Sequence, residues 1–195
     1  MKEDVHIPVG FPADAGEILT GLARSAIATR LRLLTADLPI DKEDWLASPG
    51  ASFVTLRIDD DLRGCIGSLM AHRPLRDDVW DNAQAAAFRD PRFSPLSTHE
   101  FADVRLEVSV LSAPEPLPFT SKDDALAQLR PGVDGIILSA RGRRATFLPQ
   151  VWEELPLPRV FLAHLLNKAG LPIDFWDDSV RLERYTVTAF DEQVD

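Results

Sequence analysis

The chain has 195 residues, 45% hydrophobic and 27% charged, a soluble globular profile with room for one domain or one domain plus a small subdomain. Its 31 acids outweigh 21 bases for a net charge of −10, which opposes binding to a phosphate backbone and argues against nucleic acid as a partner. No run reaches the roughly 18 apolar residues of a membrane span, the N-terminal stretch has no signal-peptide pattern, and the single cysteine allows no internal disulfide, so the reading is a cytoplasmic protein with no membrane role.

Residues 1–13 carry prolines without a period and read as an arm. Asp14 with Glu17 resembles a capping box, and Ile18, Leu19, Leu22, Ala23, Ala26, Ile27, Leu31 and Leu34 recur at helical spacing, which predicts an amphipathic helix over 14–35. A loop bounded by Pro39, Pro49 and Gly50 holds Asp41 to Trp45. Segments 53–58 and 62–70, separated by Asp59-Asp60-Asp61, predict a β-hairpin. Pro74 suits the first turn of a helix with the stripe Leu75, Val79, Ala83, Ala86 and Ala87. That helix ends in Arg89-Asp90-Pro91-Arg92-Phe93-Ser94-Pro95, where two prolines forbid continuation. Ser97 with Glu100 caps a brief turn.

Segment 104–111 alternates as a half-buried strand, with Val104, Leu106, Val108 and Val110 on one face and Arg105, Glu107 and Ser109 on the other. Three prolines in 113–118 make a stiff connector and a candidate subdomain boundary near 113–119. Ser121 with Asp124 caps a short helix to Arg130, and 133–140 with 143–148 predict a second hairpin around Arg141-Gly142. A helix over 159–169 buries Val160, Phe161, Leu165 and Leu166 and ends at Gly170, before a last strand over 180–190. This order predicts an α+β fold with a mainly antiparallel sheet flanked by helices. The acids gather at 41–44, 59–61, 77–81 and 174–178, and read as solvated surface.

Chemistry concentrates in Leu62-Arg63-Gly64-Cys65-Ile66-Gly67-Ser68, where glycines in a strand mark a bulge or a close backbone approach. Cys65 reads as a nucleophile or redox thiol if it is exposed beside a positive charge, and as a space-filling residue if it is not. Arg63 shares its face if the strand is regular and would offer charge to an anion, over backbone that Gly64 and Gly67 leave uncovered. The 89–95 loop is the expected opposing wall and brings Arg89 and Arg92; the plainer reading pairs them internally with Asp90 or Glu107. Asn82 is expected to tie down that loop. Glu107 is a candidate general base if its face is covered, and Gln150 presents its amide either to a cleft or to backbone. His6, His72, His99 and His164 have no ligand spacing with one another or with Cys65, so neither a metal nor a cofactor is expected.

Five motifs together resemble the AMMECR family: Leu62-Arg63-Gly64-Cys65-Ile66-Gly67; residues 82–93; Glu107-Val108-Ser109-Val110-Leu111-Ser112; Thr146-Phe147-Leu148-Pro149-Gln150-Val151-Trp152; and Lys168-Ala169-Gly170-Leu171. The likeness runs over residues 14–190, with Ala145 standing where many relatives have glycine. The resemblance implies a larger lobe plus a smaller subdomain, with the signature helping to line a cleft. It also implies a role as the A component of the AmmeMemoRadiSam system, whose other members, a Memo-like protein and a radical S-adenosylmethionine protein, are the expected partners. The expected ligand is a small anionic or peptide molecule bound around the signature, with Cys65 as nucleophile and Arg63 as anion binder. The alternative is a non-catalytic adaptor that docks one of those partners, and whether the chain is an enzyme stays open.

Overall fold

Hydrophobic alternation and a two-residue turn build the centre of the first sheet. Strands β1 (Pro49–Ile58) and β2 (Asp61–Gly67) are joined by Asp59-Asp60, whose φ angles of 51° and 68° make the hairpin turn that matches strand twist. Strand β4 (Arg105–Leu111) pairs antiparallel with the other edge of β1, so the expected hairpin forms and the 104–111 segment joins its sheet, although the segment expected as strand over 62–70 leaves the ladder after Gly67. A short β3 (Arg73–Pro74) pairs with the start of β1, and β9 (Val187–Asp191) completes the order β2-β1-β4-β9. The structure is a computed structural model describing residues 10–34 and 43–193; most of the expected arm and part of the 39–45 loop lie outside the described residues.

Two helices cover the inner face of this sheet. Helix α1 (Ala15–Leu31) and helix α3 (Leu75–Phe88) bury Leu19, Ile27, Val79 and Ala83 against Val54, Leu56, Leu106 and Val108. Asp14 makes no side-chain cap bond. A missing cap costs about 1 kcal/mol, whereas each fully buried Leu or Ile contributes about 1.5–3 kcal/mol, so packing decides the helix. It ends before Leu34 because Arg32 turns left-handed at φ 61°. Between α1 and β1, α2 (Asp44–Ala47) buries Leu46. Pro74 caps α3 from outside rather than sitting in its first turn. Helix α4 (Thr98–Phe101) begins with a complete capping box between Ser97 and Glu100.

The chain divides into two compact units, 1–111 with 188–195, and 112–187. In the second unit the sheet order is β5 (Glu115–Leu117), β8 (Arg181–Tyr185), β6 (Gly135–Ala140) and β7 (Arg143–Phe147). Helices α5 (Lys122–Gln128), α6 (Val151–Glu154) and α7 (Pro158–Lys168) accompany it, and Trp152 stacks on Phe161 at 3.7 Å in the core. Val160, expected to be buried, is 38% exposed, because the inward side of α7 is the one carrying Phe161, Leu165 and Leu166. The last strand expected over 180–190 is two strands, β8 in the second sheet and β9 in the first. The fold is α+β, and among the described residues no helix is long and apolar enough to cross a membrane.

Candidate functional site

Strand β2 is an edge of its sheet, and the N–H and C=O of Cys65 are met by side chains instead of a strand. Its N–H donates to Asp90 Oδ2 at 2.9 Å, and its carbonyl accepts from Arg92 Nη2 at 3.2 Å. Arg92 grips the same carboxylate, with Nη2 2.7 Å from Oδ2 and Nε 3.0 Å from Oδ1. Asp90 is 3% exposed, and the bonded guanidinium holds its carboxyl well below the usual carboxylate range, helped by the Cys65 and Arg92 N–H groups and opposed by burial. The internal pairing of Arg92 is therefore real, yet half of its side chain stays open to solvent.

The register slips between Leu56 and Arg57, so Gly64 faces Leu56, Leu62 faces Arg57, and Arg63 is the bulged residue. Arg63 turns to α4, donating from Nε to Glu100 Oε1 at 2.8 Å and from Nη2 to the Ser94 carbonyl at 2.9 Å. It thereby lowers the Glu100 pKa to about 2, with Ser97 adding to the effect. Its remaining Nη1 is buried without an acceptor among the described residues. Phe93 lies beside both guanidinium groups, 5.8 Å from that of Arg63 and 5.4 Å from that of Arg92.

The side-chain space at both glycines is filled by protein. A Cβ at Gly64 would stand 2.3 Å from the Ala86 carbonyl oxygen of α3, and one at Gly67 would stand 2.2 Å from the Phe53 ring. Asn82 does not reach the 89–95 loop: its amide donates to Asp78 Oδ2 at 2.9 Å and to the Ser52 carbonyl at 3.0 Å. Asp78, expected on a solvated acidic surface, is fully buried and also accepts from Ser52, Ser68 and Arg73. Arg89 turns away to the Asp81 carbonyl, and Gln150 is exposed at the start of α6 in the second unit. Among the described residues no group of three His, Cys, Asp or Glu side chains could hold a metal ion.

What the sheet does bring together is a row across its outer face. Cys65 on β2 stands opposite Thr55 on β1, and Thr55 stands opposite Glu107 on β4. Thr55 Oγ1 donates to Cys65 Sγ at 3.4 Å, and Ser109 Oγ donates to Glu107 Oε1 at 3.0 Å. Thr55 and Ser109 are buried, Cys65 and Glu107 half-buried, and Arg57 and Arg105 in the next row exposed. The bulge sets this alignment, since an unbroken hairpin from Ile58 and Asp61 would oppose Thr55 to Gly64. The plainer reading of Arg92 as paired with Asp90 and the Ser97–Glu100 cap both hold, whereas Thr55 and the Arg63–Glu100 pair were missed; a glycine next to the cysteine was the available sign that the register shifts.

The AMMECR1 family profile matches residues 20–190. This chain belongs to the AMMECR1 family. Within this AMMECR1 protein the match runs through both units, so neither sheet lies outside the family region. The chain is similar to a protein of Methanothermobacter thermautotrophicus, 40% identical over 182 residues that span 92% of this chain and 95% of that one. It is 37% identical over 191 residues to a protein of Saccharolobus islandicus, covering 92% and 82% of the two chains. The crystal structure of an uncharacterized protein from Pyrococcus horikoshii matches with a TM-score of 0.76 at 32% identity, over 94% of each chain.

Proposed function

We propose that this AMMECR1 protein is the A component of the AmmeMemoRadiSam system and that it engages a small anionic or peptide ligand on the outer face of its first sheet, around Cys65. The observation that supports this best is the free thiol in one row with Thr55 and Glu107, beside the half-open guanidinium of Arg92. Arg92 is the better anion binder of the two signature-side arginines, because its side chain is 52% exposed whereas that of Arg63 is 12% exposed, although both already give Nε and Nη2 to protein acceptors. Glu107 stands two strands from Cys65, roughly 10 Å by strand spacing, too far to take the thiol proton directly. Its place as a general base is toward the far end of a ligand lying across β1.

A second reading, the adaptor that docks the Memo-like or radical S-adenosylmethionine protein, draws on the filled glycine sites, which suit a folding role for the signature. Iodoacetamide labelling of the folded protein separates the two, read by mass spectrometry beside a metabolite capture with wild type and Cys65→Ser. A ligand site predicts labelling without denaturant and a metabolite retained by wild type but lost in Cys65→Ser. A thiol that labels only after unfolding overturns the ligand site and leaves the adaptor.

A further inference from the structure

Arg57 on β1 stands directly opposite Arg105 on β4, and both are exposed on the outer face. Like charges directly opposed across strands are destabilising. Among the described residues neither arginine forms a salt bridge, whereas Arg63, Arg73 and Arg92 all do. Arg57 gives only Nη1 to the Asp60 carbonyl of its own turn, at 3.2 Å. Neither guanidinium is held by an ion pair among the described residues, so both are open to a ligand carboxylate.

The two arginines line a cavity of about 190 Å³ together with Asp60, Glu107, Asp191 and Glu192. That volume is below the roughly 300–1,000 Å³ of pockets for drug-sized ligands, so the occupant is small. Glu192 is engaged by Arg24 and by the Leu106 N–H, leaving Asp60, Glu107 and Asp191 as the acids facing the arginine pair. A bare anion meets repulsion from those acids, whereas a molecule bearing both signs is matched on both.

The geometry points to a clamp in which Arg57 and Arg105 hold the carboxylate, and Glu107 and Asp191 the ammonium group, of a small α-amino acid or an amino-acid-like metabolite. This rests on the outer-face reading above and names its ligand class. The clamp row lies two residues along the strands from the Thr55–Glu107 row, about 7 Å away.

Isothermal titration of the full chain with the twenty amino acids tests the clamp, with propionate, ethylamine, N-acetylalanine and inorganic phosphate as single-charge probes. At least one amino acid should bind, and removing either of its charges should weaken binding at least roughly tenfold. Arg57→Gln and Arg105→Gln should each weaken it roughly 10- to 100-fold, while Arg30→Gln, exposed at the end of α1, leaves it unchanged. Both clamp variants should melt close to wild type, since both arginines are exposed and neither is in a salt bridge among the described residues, and this shows that lost binding is not lost folding. No binding by any amino acid at millimolar concentration, equal binding by propionate or phosphate, or full binding by Arg105→Gln would overturn the clamp. Iodoacetamide labelling of the folded wild type beside its amino-acid titration separates the two readings: amino-acid binding with an unreactive thiol removes the Cys65 site alone, and a reactive thiol without amino-acid binding removes the clamp alone.

Discussion

Asp90 accepts the backbone N–H of Cys65 at 2.9 Å with the same oxygen that takes Arg92 Nη2 at 2.7 Å. The arginine closes the clasp by donating to the Cys65 carbonyl. Side chains of the turn after α3 thus occupy the ladder position that a neighbouring strand would take. An open edge would otherwise invite pairing with another chain, and the clasp blocks it at Cys65.

Asp90→Asn keeps the shape and an acceptor for the Cys65 N–H but removes the charge that Arg92 meets. Hydrogen bonds to charged groups are worth about 1.5–3 kcal/mol, and Arg92 is half open to water, so a loss of about 2 kcal/mol is expected in urea denaturation. A change within about 0.5 kcal/mol, the range of an ordinary surface substitution, would show that the clasp adds nothing to stability.

Acid should release the Arg63–Glu100 pair. The folded pKa of Glu100 is lowered to about 2, against about 4.3 for an unperturbed glutamate, with Arg63 the main cause. A depressed carboxylate stabilises the fold above its unfolded value and loses that contribution as pH falls toward its folded value. Stability measured from pH 5 to pH 2 should therefore fall less steeply in Glu100→Gln than in wild type. Asp90 shifts in the same direction and carries the decline to lower pH, so the slope is reduced rather than abolished.

The first hairpin and the 105–111 strand were legible because alternation and an Asp-Asp turn are local signals. Strand alternation says nothing about which sheet a strand joins, and 180–190 accordingly read as one strand instead of two. Asp78 was illegible for a related reason. An acid among acids looks solvated until its partners are known, and those partners include Ser52 and Ser68, 26 and 10 residues away in the chain. The bulge at Arg63 could be anticipated from the glycines, but its turn toward Glu100 depends on where α4 returns beside the hairpin.

Asp78 should be among the least replaceable acids of the chain. It accepts five hydrogen bonds with no exposure, including the Ser52 N–H at 2.8 Å and the Asn82 amide at 2.9 Å. Asp78→Ala strands those donors in the interior and is expected to cost about 3–5 kcal/mol. Asp77→Ala, one residue away and exposed, should stay within about 0.5 kcal/mol. Comparable losses for the two in denaturant melts would mean that the Asp78 network is solvated in solution.

Gly64 and Gly142 should respond to alanine for different reasons. At Gly142, φ is +73° and nothing lies within 4 Å of an added Cβ, so Gly142→Ala meets only the left-handed backbone penalty of about 1–2 kcal/mol. At Gly64 the added Cβ meets the Ala86 carbonyl oxygen at 2.3 Å, and that oxygen belongs to helix backbone that cannot rotate aside. Helix α3 must then move off β2, which places Gly64→Ala at about 3 kcal/mol, the upper part of the range for overpacked cores. The same movement carries away the turn that begins at the end of α3 and holds Asp90 and Arg92 against Cys65. Gly64→Ala should therefore be less stable in urea than Gly142→Ala and should also label faster at Cys65 below its unfolding transition. Equal stability for the two variants, or unchanged labelling in Gly64→Ala, would show that the glycine is not what holds strand, helix and clasp together.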